Sequence, residues 1–75
     1  MTEQEIIGLV ASSLGADISN ISIESSISNT PEWDSISHFT LLASLSTIAS
    51  VDIPIDQYPS LTSVRTIHEF ITKSI

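Results

Sequence analysis

The sequence predicts an all-α fold, a small bundle of three main helices plus one short helix, with a long loop between the first two main helices. Two observations predict it. Three segments carry apolar residues at helical spacing between recognisable start and stop signals. Only one short segment alternates as a strand would. At 75 residues the chain holds a single domain, residues 1–75, and its stability must come from packing the amphipathic helix faces together.

The first helix has a clear signal at each end. Thr2 and Glu5 form the Thr-x-x-Glu pattern of a capping box, with Thr2 as the N-cap. Gly15 is a natural residue for the C-terminal stop, because glycine readily adopts the left-handed conformation found there. The apolar residues between these signals recur at helical spacing: Ile6, Ile7, Leu9, Val10 and Leu14.

Residues 15–34 are predicted to be a long loop. The stretch ISIESSIS alternates as a strand does, but the chain offers no second alternating segment with which it could pair. We therefore expect a loop that its isoleucines hold against the core: Ile18, Ile21, Ile23 and Ile27. Loops of this length in small domains tend to be functional.

The second helix is expected to begin at Asp34, whose carboxylate is a good N-cap, so that Ser35 lies in the first turn. It should end before Asp52-Ile53-Pro54, where proline stops it. The apolar band of this helix is wider than one core face requires. Its members are Ile36, Phe39, Leu41, Leu42, Ala43, Leu45, Ile48 and Ala49.

The rest of the chain predicts one short and one long helix. Residues 56–61 include Pro59 and can hold at most a turn or two. Thr62 or Ser63 then caps a last helix that runs to about Ser74. Its apolar face consists of Val64, Ile67, Phe70 and Ile71. His68 and Tyr58 are expected at the surface or its boundary.

Charge and composition exclude several classes of function. Nine acidic residues against two basic ones, Arg65 and Lys73, leave a net charge of -7. Two cations cannot form a phosphate-binding stripe, which argues against nucleic acid and against an anionic membrane. No apolar run could span a bilayer, no basic segment precedes an apolar stretch, and there is no cysteine. We therefore expect a monomeric cytoplasmic domain without membrane insertion.

Catalytic and metal sites find little support in the sequence. Ser35 and His38 share a helix face, but no group that would orient the histidine and no Gly-x-Ser-x-Gly segment accompanies them. Asp34, His38 and His68 could be imagined as metal ligands, but two half-exposed helix histidines are the interpretation we favour. No glycine-rich phosphate loop is present. The chain is therefore not expected to be an enzyme or to bind a metal.

Asp34 followed by Ser35 has a possible chemical role of its own. If Asp34 caps the helix, the Ser35 hydroxyl is free to point outward. A phosphate esterified to it would lie beside unpaired backbone N–H groups and the positive end of the helix dipole. The dipeptide alone is equally consistent with ordinary capping, in a chain with fifteen serines.

The wider context resembles the acyl carrier protein family. That family has Asp-Ser-Leu at the start of its second helix, matched here by Asp34, Ser35 and Ile36 in the stretch PEWDSISHFTLLASL. It also has an acidic-Ile-Pro element after that helix, matched by Asp52-Ile53-Pro54. The remaining matches are Leu14 and Gly15 at the end of the first helix and a threonine-capped last helix: Thr62, Val64, Ile67, Phe70 and Ile71. The resemblance covers the whole chain.

The resemblance implies a non-catalytic shuttle. Ser35 would carry a 4′-phosphopantetheine arm that a phosphopantetheinyl transferase adds from coenzyme A. In that transfer the Ser35 hydroxyl attacks the pyrophosphate, and Asp34 helps to position magnesium. The thiol of the arm would hold acyl or related groups as thioesters. Its further partners would be acyl-loading, condensing or acyl-transferring enzymes, reached at high effective concentration because the cargo is tethered.

Two departures from the family bear on the partners. Ile36 stands where leucine is usual, and the second helix has no acidic residue between Asp34 and Asp52. Electrostatic steering by this helix should therefore be weak. We expect partners to recognise an apolar and hydroxyl surface made of Trp33, Ile36, Phe39, Thr40 and Ala43. For Trp33 we favour a hydrophobic staple that fixes how the chain enters the helix.

Several interpretations of the function stay open. Met1 and the end of the chain just after the last helix suit a discrete carrier. The uncharged second helix and the PEWDS segment favour a specialised polyketide, modified-lipid or aminoacyl pathway over a second hypothesis, fatty-acid synthesis. Two further hypotheses are a helical protein-interaction module without an arm and a degenerate carrier that no longer accepts one.

Overall fold

The computed structural model describes residues 1–74 and shows an all-α bundle, as the sequence predicts. The elements, in chain order, are α1 (Glu3–Leu14), a first 3₁₀ helix (Ile18–Asn20), α2 (Ser35–Ala49), a second 3₁₀ helix (Ile55–Ser60) and α3 (Val64–Ser74). The predicted short helix is the second 3₁₀ helix. The first 3₁₀ helix was not predicted, since three residues carry no periodic signal.

Helix α1 begins and ends at the predicted residues. The Thr2 hydroxyl accepts from the Glu5 N–H at 3.2 Å, and the Glu5 carboxylate accepts from the Thr2 N–H at 2.8 Å. Both bonds of the capping box are therefore made. Gly15 has φ of 67° in the left-handed region, and its N–H donates to carbonyls of the last helical turn. The local signals at both ends of α1 are confirmed.

Helix α2 ends before Asp52-Ile53-Pro54, as predicted. The turn is made by Ser50, which adopts the left-handed conformation with φ of 54°. The Ser46 hydroxyl donates to the carbonyl oxygen of Val51 at 2.6 Å and holds the chain as it leaves the helix. The two apolar residues that follow, Val51 and Ile53, are buried and lead the chain toward the second 3₁₀ helix.

Of the two caps that the sequence predicts for α3, the structure has Ser63, so Thr62 does not match the family's capping threonine. The Ser63 hydroxyl accepts from the Thr66 N–H at 3.1 Å, and the Thr66 hydroxyl accepts from the Ser63 N–H at 3.2 Å. The Thr62 carbonyl oxygen instead accepts from the Ile27 N–H at 2.9 Å. Ser63 caps because it directly precedes Val64, the first residue of the helix.

The long loop contains the alternating segment, and that segment does find a partner, contrary to expectation. Ser26 and Ser63 form an isolated antiparallel bridge. The Val64 N–H also donates to the Ser25 carbonyl at 3.0 Å. The partner was missed because residues 62–64 are too few to alternate. The bridge and an exposed ion pair between Arg65 and Glu24 tie the loop to the start of α3.

The isoleucines hold this loop against the core only in part. Ile21 is buried, and Ile23 and Ile27 pack partly buried against the core. Ile18 is 54% exposed, which is contrary to expectation. It lies in the first 3₁₀ helix, where no residue is buried.

The core lies between the three α-helices. The large side chains that are fully buried come from all three of them: Ile6, Val10, Leu41, Leu42, Leu45, Val64, Ile67 and Ile71. Only part of the wide apolar band of α2 takes part, because Ile36, Phe39 and Ile48 are exposed. Within residues 1–74, no helix has the length and hydropathy needed to cross a bilayer.

The start of helix α2 as the candidate functional site

Asp34 is the N-cap of α2, as the sequence predicts. Its backbone is extended, with φ of -106° and ψ of -177°, and its carboxylate accepts from the Ser37 N–H at 2.8 Å. The Asp34 carbonyl oxygen accepts the first helical bond, from the His38 N–H at 2.9 Å. Asp34 therefore satisfies one of the amide donors that every helix start leaves unpaired.

Ser35 is the first residue of α2, and its side chain is exposed. Among residues 1–74, no hydrogen bond engages its hydroxyl, since the capping role falls to Asp34. The hydroxyl thus lies at the positive end of a fifteen-residue helix and is accessible from solvent. This is the environment that the sequence predicts for it.

The Asp34 carboxylate is held in its anionic form. The Ser37 N–H is the main cause that lowers the pKa of Asp34 below 3.8, the Ser37 side chain adds to it, and the Ile36 N–H contributes less. A carboxylate here also interacts favourably with the helix dipole. The site at neutral pH is therefore an anion next to an uncharged hydroxyl.

The lowered pKa of Asp34 makes the domain's stability depend on pH. Since the folded pKa lies below the unfolded one, the charged form's contribution is complete above pH 3.8 and is lost as the pH falls through the folded pKa. We expect Asp34→Asn, which still caps, to be less stable than wild type at neutral pH, and the difference to shrink as the pH falls below 3.8. Urea unfolding midpoints of both proteins would measure this, and equal midpoints at neutral pH would contradict it.

Trp33 and His38 form a buried pair behind Ser35. The Trp33 indole N–H donates to His38 Nδ1 at 3.0 Å, and the ring centroids lie 6.0 Å apart. The other ring nitrogen, Nε2, lies 2.9 Å from the carbonyl oxygen of Tyr58. His38 is the fourth residue of α2 and Trp33 directly precedes its cap, which are the two positions of a hydrophobic staple.

The burial of this pair corrects two predictions. Trp33 is 2% exposed, so its side chain is not part of a partner surface and instead fixes the start of α2. His38 is 6% exposed, where a half-exposed histidine was expected. The helical pattern could not show this, because the groups that cover His38 include Tyr58, twenty residues further along. His68 is half-buried, as predicted.

The position of His38 bears on the catalytic and metal hypotheses. Both ring nitrogens already have hydrogen-bond partners, so neither is available to take a proton from Ser35 or to bind a metal with Asp34. In residues 1–74, no three acidic or histidine side chains come together as a metal site would require. The chemistry at the start of α2 consequently rests on the Ser35 hydroxyl and the Asp34 carboxylate.

The apolar surface beside Ser35 is larger than predicted. Of the expected surface residues, Ile36 is 78% exposed, Phe39 is 50% exposed, and Thr40 and Ala43 are also exposed. The second 3₁₀ helix adds Ile55, which is 69% exposed and was not predicted. The sequence did contain a signal for this exposure, because Ile55 lies between Pro54 and Pro59 in a segment too short to bury it.

A strip of apolar side chains runs from α2 to the second 3₁₀ helix. Ile36 and Phe39 are three residues apart on α2 and are therefore neighbours on its surface. The Phe39 and Tyr58 rings are in contact, with centroids 5.2 Å apart. Ile55 and Tyr58 are three residues apart on the 3₁₀ helix, where such residues lie one above the other. We call Ile36, Phe39, Ile55 and Tyr58 the apolar strip.

Comparison with protein-family models and with curated proteins found no relative of this chain. No family model matches the chain, and no curated protein matches it significantly.

Proposed function

We propose that this chain is a carrier protein that holds acyl or related intermediates on a 4′-phosphopantetheine arm attached to Ser35. The observation that carries the proposal is the arrangement at the start of α2. Asp34 takes the capping bond, and Ser35 next to it presents an exposed hydroxyl that no residue among 1–74 engages. The order and spacing of the motifs along the chain support it independently.

The residues at this position fit such a group. A phosphodiester on Ser35 would lie at the N-terminus of α2, where backbone N–H groups and the helix dipole favour negative charge. The exposed Asp34 carboxylate is an oxygen ligand suited to magnesium during the transfer. When attached, the arm supplies a terminal thiol that forms thioesters. The protein's own part is to present that arm beside the apolar strip.

The attachment is a single displacement for which Ser35 supplies the nucleophile. A bond forms between Ser35 Oγ and the phosphorus of coenzyme A that bears the pantetheine. The pyrophosphate P–O bond breaks, adenosine 3′,5′-bisphosphate leaves, and the serine proton passes to a base of the transferase or to solvent. The nearby His38 is not that base, because both of its ring nitrogens are engaged.

The direct test is the intact mass of the protein before and after incubation with coenzyme A, magnesium and a broad-specificity phosphopantetheinyl transferase. We expect a gain of one phosphopantetheine. No gain with several transferases would contradict the proposal and favour a helical interaction module or a degenerate carrier.

We further propose that partner enzymes bind the apolar strip and the hydroxyl groups beside it. Ile36 and Ile48 are both exposed isoleucines of α2, but only Ile36 adjoins Ser35. Ile48 lies twelve residues away, or about 18 Å along the helix. We expect Ile36→Ala to raise the KM of the transferase for the carrier about tenfold and Ile48→Ala to leave it unchanged.

The same kinetic measurement tests whether the recognition is apolar. Because α2 has no charged residue after its cap, KM should change little between about 50 and about 200 mM salt. Equal effects of Ile36→Ala and Ile48→Ala, or a KM that rises steeply with salt, would contradict an apolar docking surface. The uncharged α2 also supports a specialised pathway over fatty-acid synthesis as the place where the carrier works.

A further inference from the structure

We propose that His38 is a positioning residue that clamps the second 3₁₀ helix to the start of α2 and so sets the shape of the apolar strip beside Ser35. The inference deepens the carrier function proposed above, and its use by a partner enzyme rests on that function. The clamp itself follows from the hydrogen bonds of one buried ring.

The tautomer of His38 is dictated by its neighbours. An indole N–H can only donate, so His38 Nδ1 must accept from Trp33 and cannot carry a proton. The ring proton is therefore on Nε2, from which it donates to the carbonyl oxygen of Tyr58 at 2.9 Å. Among residues 1–74, no carboxylate lies within ion-pair distance of either ring nitrogen. His38 is thus a neutral link with one acceptor and one donor, each matched to its partner.

The link is the polar contact that joins two elements far apart in the sequence. In the part of the chain that the structure describes, it is the only hydrogen bond between α2 and the second 3₁₀ helix. The Tyr58 carbonyl also accepts from the Leu61 N–H at 3.1 Å, a bond that closes the end of that helix. His38 therefore holds the same carbonyl group that ends the short helix.

The second 3₁₀ helix has few other contacts to hold it, and Tyr58 is its one residue that packs, partly buried, against the core. None of its residues is buried, and it lies between the buried residues Ile53 and Leu61. Its contacts with α2 include the rings of His38 and Phe39, whose centroids lie 6.2 Å and 5.2 Å from that of Tyr58. An element with few buried groups opens at low free-energy cost unless a specific contact restrains it.

The clamp affects the candidate site by holding the two halves of the apolar strip together. Half of the apolar strip, Ile36 and Phe39, is on α2, and the other half, Ile55 and Tyr58, is on the clamped helix. The two halves form one surface only while the short helix stays in place. Losing the His38–Tyr58 bond should therefore weaken docking of a partner without altering the Ser35 hydroxyl or the Asp34 cap.

Two substitutions of His38 each keep one of its two hydrogen bonds and remove the other. In His38→Asn the side-chain oxygen can replace Nδ1 as the acceptor for Trp33, but the amide is too short to reach Tyr58. In His38→Gln the longer side chain can place its amide N–H near the position of Nε2 and donate to Tyr58, but not also accept from Trp33. If His38 only filled space, the variant that keeps the bond to Tyr58 and the variant that keeps the bond to Trp33 would behave alike.

The test compares both variants by amide hydrogen exchange and by transferase kinetics. We expect His38→Asn to lower the exchange protection of the Leu61 amide about tenfold and to raise the transferase KM about fivefold with kcat unchanged. His38→Gln should stay near wild type in the Leu61 protection and in KM, although the unpaired Trp33 N–H lowers its overall stability. Equal behaviour of the two variants, or a change in kcat alone, would overturn the proposal.

A measurement on the wild-type protein covers the case in which a variant fails to fold. Nitrogen-15 NMR of the imidazole at neutral pH should show the proton on Nε2, and a proton on Nδ1 would overturn the proposal. Neither amide hydrogen exchange nor the NMR measurement needs a transferase. If the wild-type chain gains no phosphopantetheine, the carrier function fails while exchange and NMR still decide whether His38 is a clamp.

Discussion

Replacing Ser35 by alanine should abolish the mass gain that we expect wild-type protein to show with coenzyme A, magnesium and a phosphopantetheinyl transferase. The substitution removes the oxygen that we propose as the nucleophile. Because Asp34 rather than Ser35 makes the capping bond, the helix itself should remain intact. Alanine is also a good helix residue, so we expect a folded protein with an unchanged unfolding midpoint.

The matched control for this prediction is Ser37→Ala. Ser37 is in the same first turn of α2, and its backbone N–H donates to Asp34, so alanine keeps that bond. Ser37→Ala should take up one phosphopantetheine at a rate close to that of wild type. A mass gain that survives in Ser35→Ala, or that is lost in Ser37→Ala, would assign the attachment to another serine.

The largest effect on stability is expected for Leu42→Ala. Leu42 is fully buried in the core between the three helices. Truncating a buried leucine to alanine costs about 2 to 5 kcal/mol, because the packing contacts are lost and a cavity remains. A domain of 75 residues has a total stability of roughly 4 to 11 kcal/mol. Leu42→Ala should therefore lose a large fraction of this stability and unfold at a clearly lower urea concentration than wild type.

The control for this effect is Ile48→Ala on the same helix. Ile48 is 56% exposed, and alanine favours the helix more than isoleucine does, so the free energy of unfolding should change by less than about 0.5 kcal/mol. Urea titration followed by circular dichroism would measure both variants. If the two substitutions cost the same, Leu42 would not lie in the close-packed core described here.

The parts of the fold that could be predicted are those whose signals lie within a few residues of one another. The Thr2–Glu5 capping box, the Asp34 cap and the stop at Gly15 all depend on hydrogen bonds across three to five residues. Such bonds can be read from residue types at fixed spacing. For the same reason the sequence placed the exposed Ser35 hydroxyl correctly in the first turn of α2.

The predictions that were wrong involve contacts between distant segments. Of the two predicted caps of α3, Ser63 makes the capping bond, and the Thr62 carbonyl accepts from Ile27 in the long loop. The alternating segment finds its partner at Ser63, thirty-seven residues from Ser26. Neither pairing leaves a local pattern, since three residues of a turn can supply the second side of a bridge.

By itself, the sequence determined that this protein is an acidic bundle of three main helices, with Asp34 as a helix cap and Ser35 beside it. Only the tertiary structure decided that Trp33 and His38 are buried together and that Ile55 joins the exposed surface next to Ser35. The physical reason is the distance along the sequence over which each interaction acts. Caps and helical periodicity act between neighbours, whereas the burial of His38 and its link to Tyr58 depend on how the chain returns twenty residues later.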